Sequence, residues 1–71
     1  MIKFGNIDGL SLMIEDSSKV EIETYPDGAI MLYCHLHANE APISIGVSEA
    51  KWAELKAKYP KILADKGLIH D

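Results

Sequence analysis

Residues 20–34 read VEIETYPDGAIMLYC, and this stretch decides the fold. Apolar and polar side chains alternate on both sides of a turn-forming segment that contains Pro26, Asp27 and Gly28. Pro26 supplies the φ angle that the first turn position requires, and Gly28 suits the left-handed residue that ends a three-residue loop. The stretch therefore predicts a β-hairpin. Its predicted facing pairs are Tyr25 with Ala29, Thr24 with Ile30, Ile22 with Leu32 and Val20 with Cys34.

A second Asp-Gly pair, Asp8-Gly9, lies between alternating runs near the N-terminus. A loop of residues 7–9 brings apolar side chains opposite each other on one face of the two flanking strands, as a half-buried sheet requires. The sequence therefore predicts a first hairpin, with strands at about residues 1–6 and 10–15.

The last third of the chain carries a helical pattern. Ser48 is a suitable N-cap, and Trp52, Leu55 and Tyr59 fall on one apolar stripe. Trp52 is expected to be the main contact from the helix to the sheet. Pro60 lacks a backbone N–H and interrupts a helix. Two helical segments are therefore expected, at about residues 49–59 and 60–65.

Together these patterns predict one α+β domain over residues 1–71. The expected architecture is a five-stranded antiparallel meander sheet, with the C-terminal helix, broken at Pro60, packed on one face. The strands are expected at about residues 1–6, 10–15, 19–25, 29–37 and 42–47.

Cysteine content and hydropathy bear on the compartment. The chain has one cysteine, so it cannot form an intrachain disulfide, which fits a reducing compartment. The N-terminus does not read as a secretory leader, and no apolar run reaches the roughly 18–20 residues that span a bilayer. We therefore expect a cytoplasmic protein that does not associate with membranes.

Charge is unevenly distributed along the chain. Residues 1–50 contain eight acidic residues and two lysines, a formal charge of −6, whereas residues 51–71 contain three acidic residues and five lysines, a charge of +2. Arginine, the usual reader of phosphate and guanine, is absent. An acidic chain without arginine argues against direct nucleic-acid binding.

The segment Cys34-His35-Leu36-His37 is the strongest candidate for chemistry. Strand alternation turns Cys34 inward and both histidines outward, which separates the thiol from the imidazoles. Two histidines alone do not complete a zinc site, because zinc takes three or four protein ligands. We expect no catalytic residue, no cofactor and no metal here, with a small-ligand or metal site at His35 and His37 as the alternative.

The outer face of the predicted sheet carries large side chains that no helix remains to cover. Tyrosine and methionine are enriched at the centres of protein interfaces. The sequence therefore predicts a partner-binding surface on this face, or the face of a homodimer. Its candidate residues are Glu21, Glu23, Tyr25, Met31, Tyr33 and His35.

These observations favour a small acidic, non-enzymatic protein-binding module whose partner has a basic surface. In size and charge alone the chain resembles phage or mobile-element inhibitors of host nucleic-acid-handling systems, such as anti-CRISPR proteins. Two alternatives to the protein-binding module are a small-ligand or metal-binding domain that uses His35 and His37, and an accessory subunit of a larger complex.

Overall fold

The computed structural model describes residues 6–70. Within them the chain forms an α+β fold in which a three-stranded antiparallel sheet, in the order β1-β2-β3, is combined with three short helices. The elements in chain order are α1 (Ile7–Asp16), β1 (Lys19–Thr24), β2 (Ile30–His35), β3 (Ile43–Val47), α2 (Glu49–Lys58) and α3 (Pro60–Asp65).

The hairpin of β1 and β2 has the predicted register. Val20 pairs with Cys34, Ile22 with Leu32 and Thr24 with Ile30. The loop closes as expected, because the Tyr25 N–H donates to the Ala29 carbonyl at 2.9 Å. The conformation of the turn also agrees with the prediction, because Gly28 is left-handed with a φ of +91°. The Asp27 carboxylate accepts from the Ala29 N–H at 3.0 Å.

The prediction of a five-stranded meander is wrong, because residues 7–16 form helix α1 and not the second half of a hairpin. Asn6 is the N-cap, and its side chain accepts from the Asp8 N–H at 2.8 Å. Asp8 therefore lies in the first helical turn, where a negative charge is favourable, and Gly9 does not form a turn. The predicted strand at residues 1–6 lies almost wholly outside the described residues.

The same apolar residues serve two patterns in this segment. Leu10, Leu12 and Ile14 alternate as in a strand, but Ile7, Leu10 and Ile14 also recur at helical spacing. The helix buries Leu10 and Ile14 and leaves Leu12 60% exposed. The helical pattern is the one that the structure follows.

Strand β2 is shorter than the predicted 29–37. The Ser18 N–H donates to the His35 carbonyl at 2.8 Å, and its hydroxyl donates to the same oxygen at 2.9 Å. This contact precedes the start of β1, so no strand residue remains to pair with Leu36 or His37. The chain turns instead, and the Glu40 N–H donates to the His37 carbonyl at 3.2 Å.

Strand β3 and the two C-terminal helices agree with the sequence pattern. Ser48 caps α2 by accepting from the Lys51 N–H at 3.1 Å, and Pro60 is in the first turn of α3. The core lies between the helices and the inner face of the sheet. Its buried apolar residues are Leu10, Ile14, Val20, Ile30, Leu32, Cys34, Ile45, Val47, Leu55 and Leu63.

Trp52 is not the main helix-to-sheet contact. Its side chain is half-buried at the margin of the core, whereas Leu55 and Leu63 are completely buried. No helix within residues 6–70 is both long and apolar enough to cross a membrane.

Candidate protein-binding surface

One face of the sheet packs against the core and the other faces away from it. In β2 the inward residues Ile30, Leu32 and Cys34 are buried, and the residues between them are only half-buried. We call the outward surface the open face. It consists of Lys19, Glu21, Glu23, Tyr25, Met31, Tyr33, His35, Ser44 and Gly46.

Glu23 links two tyrosines on the open face. Its Oε1 accepts from the Tyr33 hydroxyl at 2.5 Å and from the Tyr25 hydroxyl at 3.3 Å. The hydrogen bond to Glu23 is the main reason that the pKa of Tyr33 is raised well above its ordinary value of 10.0, with the bond to Tyr25 adding to it. Tyr33 is therefore a neutral hydrogen-bond donor throughout the physiological pH range.

Glu21 is paired with His35 across the same two strands. The His35 Nε2 lies 2.8 Å from the Glu21 Oε1, and the Lys19 Nζ lies 4.0 Å from that oxygen. Two polar contacts, one at Glu21 and one at Glu23, therefore connect the outward side chains of β1 to those of β2. These contacts hold the carboxylates beside the ring of Tyr33 and the side chain of Met31.

Strand β3 contributes small side chains to the open face. Ser44 lies opposite Tyr33, and Gly46 lies opposite Met31. A Cβ placed on Gly46 would meet no atom within 4 Å. Across the open face, the side chains are therefore acidic on β1, large on β2 and small on β3.

The structure brings together all six residues that the sequence nominates for partner binding. Five belong to β1 and β2, and Tyr25, which is 42% exposed, directly follows β1. Their proximity follows from the register of the hairpin. Their role in binding a partner stays a prediction.

His35 and His37 do not share a strand. His35 ends β2 and is paired with Glu21, whereas His37 lies in the following turn and is exposed. Across residues 6–70, no group of three or more His, Cys, Asp and Glu side chains is arranged to hold a metal ion. Cys34 is completely buried, and burial raises the pKa of its thiol, so it is not an activated nucleophile.

Sequence reasoning missed one feature, a cavity of about 630 Å³ between the β1–β2 turn and helix α2. Glu49, Trp52 and Lys56 line it from the helix. The signal was present in the spacing of these residues, three and then four positions apart, which places them on one side of a helix. The apolar stripe of Trp52, Leu55 and Tyr59 predicts instead that Trp52 packs on the core.

Comparison with protein-family models, with curated proteins and with solved structures finds no match to this chain.

Proposed function

We propose that this protein is a non-enzymatic protein-binding module whose open face docks on a basic surface of its partner. The observation that supports the proposal is the arrangement of Tyr33 and Met31 beside two carboxylates on a sheet face that no described element covers. Large side chains at the centre with charged groups beside them are the usual anatomy of an interface.

The charge of the molecule supports the choice of partner. The chain carries a formal net charge of −4, and Glu21 and Glu23 both lie on the open face. Complementary charge accelerates association and excludes partners of like charge. We extend the proposal to a basic surface that ordinarily binds nucleic acid, which an acidic inhibitor would block by competing with phosphate.

The test compares four proteins as bait in the same lysate: wild type, Tyr33→Ala, the double variant Glu21→Lys/Glu23→Lys, and a control double variant Glu15→Lys/Glu54→Lys. Glu15 and Glu54 are exposed on α1 and α2, away from the open face. Both double variants change the net charge equally. Captured proteins are quantified by mass spectrometry, and circular dichroism checks the fold of each bait.

The proposal expects a basic protein that wild type and the control capture and that both open-face variants lose. Binding of the purified partner should weaken by about ten-fold or more in Tyr33→Ala if Tyr33 is an anchor residue. Equal capture by all four folded baits would contradict the proposal. Sedimentation of the free proteins distinguishes binding to a different protein from the homodimer alternative. In a homodimer, the wild type self-associates and Tyr33→Ala is monomeric.

A further inference from the structure

The cavity beside the β1–β2 turn combines an aromatic ring with charged groups. Its floor includes Ile30 from the sheet, and Asp27 lies at its turn side. The helix side carries Glu49 in the first turn of α2, Trp52 one turn later and Lys56 one turn beyond that. The three helical side chains face the same space because their spacing follows the helical repeat.

The ring of Trp52 already has a cation near it. The Lys56 Nζ lies 6.0 Å from the centroid of the indole ring, at the outer limit of a cation–π contact. Lys56 forms no ion pair within residues 6–70, and its side chain is exposed. The ammonium is therefore held only by this weak contact.

Glu49 lies against the turn because residue 28 is a glycine. A Cβ on Gly28 would overlap the Glu49 carboxylate, and the φ of +91° is one that other residues rarely adopt. Among the described residues the Glu49 carboxylate has no hydrogen-bond or ion-pair partner. An unpaired carboxylate thus stands one helical turn from the face of a tryptophan.

We propose that this cavity binds a guanidinium group, which stacks on Trp52 in place of the Lys56 ammonium and pairs with the carboxylate of Glu49. A guanidinium is planar and weakly hydrated, so it stacks on an aromatic ring better than an ammonium does. Its fork of N–H groups matches a carboxylate, which an ammonium cannot match in the same way. Lys56 then acts as an internal competitor that a stronger cation displaces.

The cavity adjoins the open face at Tyr25, which lines the cavity and belongs to both. The groups proposed to bind the guanidinium belong to α2, whereas the other five candidate interface residues belong to β1 and β2 and do not line the cavity. The guanidinium is that of an arginine side chain. A partner of the open face is one source of that side chain, and the site itself is tested with a small probe.

The experiment titrates the full chain with N-acetyl-arginine N-methylamide. Trp52 is the only tryptophan, so its fluorescence and its indole NMR signal report on the cavity alone. The matched probe is N-acetyl-citrulline N-methylamide, which has the same shape without the charge. We expect saturable binding of the arginine probe and binding of the citrulline probe that is weaker by about ten-fold or more.

Three variants test the roles of the individual groups. Glu49→Gln should weaken binding about ten-fold, because a charge-assisted hydrogen bond is lost. Lys56→Gln should strengthen binding about two- to five-fold, the equivalent of the exposed cation–π contact that no longer competes. Glu54→Gln, on the same helix but outside the cavity, should leave the affinity unchanged. If Glu49→Gln proves unstable, Asp27→Asn replaces it in the test. This substitution keeps the acceptor that forms the turn and removes a negative charge from the cavity lining, so it should also weaken binding.

The absence of a saturable signal for the arginine probe would overturn the proposal, as would equal binding of the citrulline probe. Weaker or unchanged binding by Lys56→Gln would show that Lys56 does not compete for the ring. None of these outcomes alters the capture experiment, because the open-face variants leave the cavity residues of α2 intact.

Discussion

Single residues fall into two groups, those whose burial stabilises the fold and those whose side chains are exposed to solvent and available to a partner. Glu23 belongs to the second group, because its carboxylate holds the hydroxyls of Tyr25 and Tyr33 on a solvent-facing surface. Such a network at the surface contributes little to stability, since water competes for each bond. The network instead fixes the positions of two aromatic rings, which lowers the entropic cost of ordering these side chains when a partner binds.

Two leucines provide a matched pair for the first group. Leu55 is fully buried, and Leu12 is 60% exposed. Leu55→Ala should lower the free energy of unfolding by about 2–5 kcal/mol, whereas Leu12→Ala should change it by less than about 0.5 kcal/mol. Urea denaturation measures both. Because Leu12 would face the core in the predicted hairpin, a large loss in Leu12→Ala would contradict helix α1.

Cys34 gives a further prediction at the same scale. Its thiol is completely buried, and burial raises its pKa. A thiol reagent should therefore label native protein at least about 100-fold more slowly than denatured protein, as local or global opening must come first. The variant Ala53→Cys, which adds a thiol at an exposed position, should take up one equivalent rapidly. Rapid labelling of the wild type in native buffer would exclude the buried position.

At the scale of elements, the β1–β2 hairpin is predicted correctly and helix α1 is mispredicted as a strand. The hairpin is specified twice, by the alternation of its strands and by a turn whose Pro26 and Gly28 suit only certain positions. Alternating residues also flank the Asp8-Gly9 pair, but the same apolar residues recur at helical spacing and a capping residue precedes the pair. Asn6 as an N-cap and the spacing of Leu10 and Ile14 were the signals for a helix.

Helix α1 is connected to the end of α2 through Asp8. The Asp8 Oδ1 accepts from the Lys58 Nζ at 3.0 Å and also from the Tyr59 hydroxyl. The hydrogen bond from Tyr59 is the main reason that the pKa of the Asp8 carboxyl is lowered below its ordinary 3.8, and the bond from Lys58 lowers it further. A lowered pKa in the folded state means that the contact stabilises the protein above the unfolded-state pKa and is lost as the pH falls through the folded-state value.

Asp8→Asn should therefore melt at a lower temperature than the wild type at pH 6, and the difference should narrow as the pH falls below about 4. Thermal unfolding followed by circular dichroism between pH 6 and pH 2.5 measures it. Added salt should reduce the same difference at pH 6, because the contact is exposed. Asp16→Asn serves as the control, as Asp16 is an exposed acidic residue at the other end of α1. A difference between Asp8→Asn and wild type that is independent of pH would rule out the ionised contact.

At the scale of the whole molecule, the sequence correctly predicted that the six nominated residues share one face of the sheet, although it mispredicted helix α1. The six nominated residues depend only on the register of β1 and β2, so the error in α1 did not affect them. The cavity at the turn could not be predicted in the same way. It requires α2 to lie beside the turn, and nothing in the local pattern of either segment states their distance.

The distribution of charge leads to the last prediction, which concerns the rate at which a partner associates. Residues 1–50 carry −6 and residues 51–71 carry +2, so the molecule is electrically asymmetric. Glu21→Lys/Glu23→Lys should slow association with the captured partner by about ten-fold at low salt and flatten its dependence on salt concentration. Glu15→Lys/Glu54→Lys alters the net charge by the same amount at sites away from the open face. Association rates at about 50 mM and 300 mM sodium chloride separate the two cases. If the charges act locally, only the open-face variant loses its salt dependence; if both variants behave alike, the net charge steers the encounter and the open face has no special part in it.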